Sequence, residues 1–564
     1  MTDEQDMKNT LPKPFLFILS LWAVVLFLYM PAYKAGFWLQ DFVDMVQLYQ
    51  RQSFLENIGR NGTAPLSLYQ VTRAIQFLLL SVFKFHPLPW FFLFTLFHAL
   101  NGYLIYKFCC RFFFLLGYTT YHKYASLAGV LLFLISPIQV EVVTWKVCFH
   151  YLSGVFMIFL ILNWLLSYIE TEKKNYLYYI WTLYCISTFT LEIFYLTPAF
   201  VITVIISFYL KDLLSFSKAR QLFINTAIPL ILIWIGYISL YYFSYGDWQA
   251  HYKQDIGSPF HPNVAFWKLS RYISRTLFLD FLWPTGAKNF WYHLLQSKAL
   301  VWIFGIGVLC FFIWGWARYK KLQNSVSVLY ALFIFTLLSI ILIIPFWFGD
   351  MFMVRNDRFY YLPSVFLYQF IAVLLFSIRS IKISRIIIPG YIMLFVIGAC
   401  YVIISVRAAQ KIQMGMMNNF RWQNAKQVLL LNLPCTYNGI GIEPSTQPSN
   451  FNFYLNIFGK DSVKGKIYDV AGYNVQEFWN GAHVTVQDSL TLKVTMNQLG
   501  SWWWQGEFGA LDYENDIYSA KFTGFANEYL LTFKQKPDTG TVILYQQGDQ
   551  WRRVDMNKLG QEQW

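Results

Sequence analysis

Asp41 and Asp44 stand three residues apart in FWLQDFVDM, directly after the first long apolar run of the chain. In a helix this spacing sets both carboxylates on one face, where one can act as general base on a hydroxyl within hydrogen-bond reach. The plainer alternative is a pair of solvated loop acids that cap or end a helix. Two further acids, Glu141 in SPIQVEVVTWKVCFHYLSG and Glu192 in TFTLEIFYLTP, lie between apolar runs. The basic groups that accompany them are Arg271 and Arg275 in RYISR, one helical turn apart, and Arg355 and Arg358 in MVRNDRFYYLPS. Guanidinium groups match phosphate oxygens in fork geometry, so these acids and arginines suit a site that needs a base and a phosphate clamp; transporters gather charges of the same kind. His98 and Asn101 lie one turn apart inside LFHALNGYLIY, where an interhelical hydrogen-bonding role competes with a catalytic one.

The elements that carry these groups follow from composition. Of 564 residues, 57% are apolar, 21% aromatic and 13% charged, with a mean hydropathy of +0.40. A soluble domain carries about 25% charged residues, so a soluble enzyme, a disordered chain and a nucleic-acid binder are excluded. The chain reads as a polytopic membrane protein. Runs long enough to cross a bilayer fall at roughly 14–33, 89–110, 125–138, 152–169, 176–191, 195–211, 222–243, 299–317, 327–348, 360–378 and 386–406, about 11 spans. The stretch 66–85 carries Gln70, Arg73, Gln76 and Lys84 as a polar stripe and reads as an interfacial or re-entrant helix. The acidic start MTDEQDMKNTLPKP lacks the features of a cleaved signal peptide, so the first run reads as a retained span.

Residues from 407 on hold 14 Lys+Arg against 14 Asp+Glu, leaving 30 against 16 in the membrane part. With the N-terminus inside, the inner loops carry Lys8/Lys13, Lys107/Arg111/Lys123, Lys173/Lys174, Lys211/Lys218/Arg220, Arg318/Lys320/Lys321 and Arg379/Lys382/Arg385. Every short inner loop is then basic, as the positive-inside rule requires. The formal +14 is therefore largely orientation charge and not the mark of a polyanionic partner. Outside lie the loops 34–88 and 244–298 and everything after 406, which puts the acids and arginines above on one face.

Residues 407–564 change character, with alternating runs such as AHVTVQDSLTLKVTM and TGTVILYQQ between turn residues. They read as a mainly-β, antiparallel sandwich-like domain, either a docking module or, through Trp502, Trp503 and Trp504, a sugar-stacking platform. Six of the seven cysteines lie in or beside apolar segments, and no Cys/His cluster offers a metal site. Walker, HExxH and GxGxxG sequences are lacking, so ATP-driven transport, zinc proteolysis and dinucleotide chemistry have no support.

Together these segments resemble the GT-C polytopic glycosyltransferases, closest to the branch of transmembrane and tetratricopeptide-repeat O-mannosyltransferases and their bacterial relatives. FWLQDFVDM resembles the acidic first-loop motif. PLSLYQVTRAI with WFFLFTLFHALNGYLIYKF, LISPIQVEVVTW, STFTLEIFYLTPAFV and VRNDRFYYLPSVFLYQF are similar to later family motifs, in order, across roughly residues 14–406. The resemblance implies a membrane all-α GT-C fold in 1–406 and transfer of a sugar from a polyprenyl-phosphate donor to an extracytoplasmic hydroxyl of a glycan, lipid or protein, with inversion. It implies Asp41 as general base, Glu141 as a second acid, and Arg271, Arg275, Arg355 and Arg358 around the donor phosphate, with Asp44, His98, His150 and Glu192 supporting. The chain departs from the pattern where an Arg and an Asp are expected near Phe149 and Tyr151; His150 is the substitute on offer. Leu191 precedes Glu192 where Lys is usual, and helical repeats are absent, so protein O-mannosylation is not implied. No cofactor is expected, although carboxylates leave room for a hard divalent cation. The expected location is a bacterial inner membrane, N-terminus cytoplasmic and C-terminal domain periplasmic. A flippase of lipid-linked saccharides and a non-catalytic assembly scaffold are the rival readings.

Overall fold

The computed structural model describes residues 13–33, 70–190, 192–246, 261–295, 297–341, 357–377, 381–438, 440–442, 451–452, 455–456, 459–475, 481–496, 503–504, 512–522 and 528–563. Asp41, Asp44, Arg355 and Trp502 lie outside these residues. The chain divides into two compact units: Met1–Met30, Leu48–Met351 and Asn356–Val402 belong to the first, and the second is principally Ile403–Trp564.

Membrane-length apolar helices dominate the first unit, and strands the second, as composition led one to expect. Among the described residues nine helices are long and apolar enough to cross a membrane, ten if one bent pair counts as a span. The two spans that fall short of expectation have local causes. Residues 176–191 give only the 13-residue helix Asn175–Ser187. Residues 125–138 break at Ser136–Pro137, where proline removes an N–H and pushes the preceding residue out of helical geometry; Ser136 has ψ 132°. Proline also opens several of the long helices, at Pro14, Pro87, Pro198 and Pro262, the position where a missing N–H costs nothing.

The helices that build the site are α1 (Gln70–Phe83), α2 (Pro87–Leu115), α3 (His122–Ile135), α4 (Val140–Thr144), α5 (Phe149–Thr171), α6 (Pro262–Phe278) and α7 (Tyr361–Ser377). Helices α3 and α4 form the bent pair, with an angle of 53° between its two halves. Helix α1 is too short to span. It turns Thr72 and Gln76 inward while Leu78 and Val82 are exposed, and Gln76 Nε2 donates to the Lys146 carbonyl at 3.2 Å. Of the polar stripe read from sequence only Gln76 is buried, beside Thr72 and the apolar Leu80, while Lys84 is exposed together with Leu78 and Val82.

Helix α7 is the keel of this unit. Tyr361, Ser364, Tyr368 and Gln369 recur at helical spacing along one side and are buried. Tyr361 Oη meets His98 Nδ1 at 2.8 Å and Asn101 Nδ2 at 3.1 Å on α2. Ser364 Oγ accepts from Gln139 Nε2 at 2.8 Å, and Tyr368 Oη meets Ser136 Oγ at 2.6 Å at the break after α3. Gln369 Nε2 donates to the Ser126 carbonyl on α3 at 3.1 Å. Hydrogen bonds between membrane helices are worth about 0.6 kcal/mol each, so the value of this series lies in fixing the rotation of α7.

Loops assigned to the inner face meet one another: Glu172 pairs with Lys218 at 2.9 Å, Asp212 with Lys320 at 2.7 Å, and Lys211 Nζ donates to the Leu322 carbonyl at 2.8 Å.

In the second unit, strand Gln427–Leu430 pairs in parallel with Lys466–Asp469 on one side and Thr541–Gln547 on the other, and Gln550–Arg553 adds antiparallel. A six-stranded antiparallel sheet runs in the order Glu562–Gln563, Ala482–Val486, Thr491–Met496, Glu528–Phe533, Tyr518–Phe522, Tyr513–Glu514. A third sheet joins Ile440–Gly441, Leu433–Tyr437, Gly472–Val475 and Trp503–Trp504. The parallel pairs depart from the antiparallel expectation, because alternation reports which face a residue takes and is silent on strand direction. The helical segment from Ile403 packs here: Trp551 Nε1 donates to the Met416 carbonyl at 2.9 Å, and a Cβ on Gly415 would stand 2.4 Å from that of Asp549.

Asp469 ends the edge strand of the parallel sheet, and its Oδ1 is buried without a hydrogen-bond partner. Close by, Tyr513 Oη donates to the Val470 carbonyl at 2.9 Å and lies 2.8 Å from Tyr518 Oη. Burial pushes the Asp469 carboxyl up to about 7. A carboxyl whose folded pKa exceeds its unfolded value of about 3.9 binds its proton more tightly when folded. Its contribution is full below pH 4 and is lost as pH rises toward 7. Asp469→Asn is therefore expected to slow hydrogen exchange in strands 427–430 and 466–469 at pH 8, by about 3 kcal/mol of local opening energy after allowance for partial exposure, with no gain at pH 4. An equal change at both pH values would refute the assignment.

Candidate active site

Two buried ion pairs, on adjacent residues, define the site. Pro137 turns the chain after α3, and the next helix α4 carries Glu141 into the interior, 1% exposed. Its Oε2 accepts the backbone N–H of Arg358 and its Oε1 accepts Nη1 of the same arginine, each at 2.9 Å. The Arg358 guanidinium lies near two rings, 5.1 Å from Trp145 and 4.6 Å from Phe359. Cation–π contacts of this kind strengthen when desolvated.

Asp357, the residue before it, is equally buried. Arg275 of α6 grips it in the fork geometry, Nε to Oδ1 at 2.5 Å and Nη2 to Oδ2 at 3.0 Å. Arg275 Nη1 is also 3.6 Å from Asp280 Oδ1. Asp280 reaches this place because Leu279 ends α6 at φ 48°, a left-handed conformation that a branched apolar residue adopts only under constraint. Within this buried cluster of one arginine and two aspartates, fork geometry holds Asp357, the arrangement that best offsets the cost of desolvating ions, and Asp280 adds a second negative charge beside the guanidinium.

Helix α6 presents Lys268, Arg271 and Arg275 at i, i+3 and i+7, all buried, while Phe278 is 54% exposed. Its cations are buried together with Phe266 and Tyr272. Arg271 lies with its guanidinium centre 5.4 Å from the Trp267 ring. Lys146, at the joint between α4 and α5, is buried, donates to the Thr144 carbonyl at 2.6 Å and faces the Phe94 ring at 5.9 Å. His150 is buried in the first turn of α5, its ring 4.5 Å from that of Tyr151.

Of the residues picked from sequence, Glu141 and Arg358 are brought into direct contact, and Arg275 joins through Asp357. His98 is spent elsewhere, between Tyr361 Oη and the Leu134 carbonyl at 3.2 Å, which is the structural role weighed against catalysis. Glu192 begins a short 3-10 turn, Glu192–Leu196, and its side chain lies outside the described residues, as do Asp41, Asp44 and Arg355 entirely. Sequence reasoning missed Asp357, Asp280, Lys146 and Lys268. Asp280 carried a signal, a lone acid inside TLFLDFLWP; Asp357 was masked by its place in a charged turn. No group of three metal-ligating side chains occurs among the described residues.

No family model and no curated protein matches the chain. Two crystal structures of ArnT from Cupriavidus metallidurans are similar to it. The apo state matches at 8% identity with a TM-score of 0.33, and the form bound to undecaprenyl phosphate at 10% with a TM-score of 0.34. Each alignment covers 81% of this chain and 92% of that one. Likeness of this degree assigns no correspondence between residues.

Proposed function

We propose that this membrane protein is a glycosyltransferase that moves a sugar from a polyprenyl-phosphate donor to a hydroxyl of an extracytoplasmic glycan, lipid or protein, with inversion. The observation that carries the reading is the Glu141–Arg358 bond: two of the motifs that resemble the GT-C family, 217 residues apart in sequence, share one buried contact. In the proposed reaction the acceptor oxygen attacks the anomeric carbon and the bond from that carbon to the phosphate oxygen breaks. Its electron pair leaves with the phosphate, and Asp41 takes the hydroxyl proton. Glu141 orients the acceptor or the base, with Asp44, His150 and Glu192 in support. Arg271, Arg355 and Arg358 neutralise the phosphate that leaves.

Burial of charge at this end of the bundle favours chemistry or binding over a scaffold role, since ions inside a membrane protein are costly to retain. The site faces away from the cytosol in this reading, in a bacterial inner membrane with the β-rich unit periplasmic.

The test is reconstitution of the chain in nanodiscs with a polyprenyl-phosphate-linked sugar and a panel of acceptors, followed by mass spectrometry and determination of the anomeric configuration. Release of polyprenyl phosphate together with an inverted glycoside is the expected result. Movement of intact donor between leaflets without cleavage would overturn it in favour of a flippase.

A further inference from the structure

The two ion pairs are joined by a single peptide unit. Asp357 and Arg358 are neighbours, and the amide that links them is the N–H donated to Glu141 Oε2 at 2.9 Å. On one side of this peptide the Asp357 carboxylate is held by both Nε and Nη2 of Arg275, which Asp280 backs from 3.6 Å. On the other side Glu141 holds the amide and the Arg358 guanidinium together. The turn Asp357–Tyr360 is further fixed by the Tyr272–Tyr360 ring contact at 5.1 Å and by its continuation into α7, whose rotation the buried hydroxyls and amides lock.

A displacement of Arg275 has little freedom to be absorbed here. Both carboxylate oxygens of Asp357 are engaged, the peptide is planar, and the Arg358 guanidinium is held by Glu141 and packs near the Trp145 and Phe359 rings. The motion passes to the amide and so to Glu141.

We propose that Asp357 is a positioning residue, which transmits the placement of α6 to the Glu141 carboxylate, and that Arg275 is a strut for this lever and makes no contact with donor phosphate. The proposal rests on the glycosyl-transfer reading for its catalytic consequence. Its mechanical part stands without it. Misplacing a catalytic group by about 1 Å through a change elsewhere can cost on the order of 100-fold in rate.

The experiment has two arms on the full chain in nanodiscs. In the first, hydrogen exchange of the segment around Arg358 is measured in wild type, Arg275→Lys and Asp357→Asn. Exchange of the Arg358 amide at least 10-fold faster in both variants is expected, with exchange along α3 and α5 unchanged; a protected amide overturns the lever. Arg275→Lys keeps the charge and gives a folded comparison if Asp357→Asn fails to assemble.

In the second arm, kcat and KM for the polyprenyl-linked donor are measured for Asp357→Asn, Asp357→Glu, Glu141→Gln and the Asp357→Asn/Glu141→Gln double variant. The expected pattern is a fall in kcat on the order of 100-fold for Asp357→Asn with a nearly unchanged KM, partial rescue by Asp357→Glu, and a double variant no slower than Glu141→Gln alone. A rise in KM at constant kcat, or multiplicative losses in the double variant, refutes the positioning role. A wild-type chain that transfers no sugar counts against the proposed function, and the exchange arm still decides the lever.

Discussion

The Asp41→Asn substitution is expected to lower sugar transfer by about 10³-fold while donor binding and folding stay intact. The carboxamide is nearly isosteric with the carboxylate, so packing and chain path are preserved, but it cannot accept the acceptor's proton. General-base groups contribute about 10² to 10⁴ in rate. The measurement is single-turnover transfer in nanodiscs, with polyprenyl-phosphate binding followed in parallel. The loss should sit in kcat, because the base acts in the transition state and contributes little to holding the donor. Turnover within threefold of wild type would remove Asp41 from the chemistry and with it the resemblance-based mechanism.

The second large effect is on stability. Arg358→Ala leaves Glu141 buried, keeping the backbone N–H of position 358 but losing the guanidinium. Breaking one partner of a buried ion pair costs about 3–5 kcal/mol, whereas removing both charges is often neutral. Thermal unfolding in detergent should therefore fall sharply for Arg358→Ala and recover in Arg358→Gln/Glu141→Gln. If Arg358→Ala loses donor affinity yet unfolds at the wild-type temperature, the guanidinium is chiefly a phosphate ligand and the pair is not structural.

The legibility of this chain differs by level. Apolar runs fixed most spans to within a few residues, because bilayer thickness imposes a length that a sequence must meet. The two shortfalls, at Ser136–Pro137 and Asn175–Ser187, arose where a proline or a short run ended a helix inside an apolar stretch. Ionisable residues stood out against 57% apolar residues, which is why Glu141, Arg275 and Arg358 were singled out. Their partners were not legible. Glu141 and Arg358 are joined across 217 residues and Arg275 and Asp357 across 82, distances over which sequence pattern has no say. Arginines read as phosphate clamps in isolation, and only the fold reveals that Arg275 already holds an aspartate. In the β-rich unit, alternation located the strands within 482–496 and 541–547, but neither Gln427–Leu430 and Lys466–Asp469 nor their parallel pairing, which depends on long connections that no local rule reads. Asp469 carried no signal at all, since an acid at a strand end is ordinarily solvated.

The hydrogen-bonding side of α7 bears on how the chain enters the membrane during synthesis. The segment is apolar enough to span, yet Tyr361, Ser364, Tyr368 and Gln369, preceded by Asp357 and Arg358, carry a cost when it emerges alone, because each polar group must leave water before it has a partner. Every partner it will use on α2, at the break after α3 and on α4 is encoded upstream, so those helices are already made when α7 appears. The polar side of α7 is thus matched to groups that precede it in the chain, so the partners that offset its cost of insertion are synthesised before it.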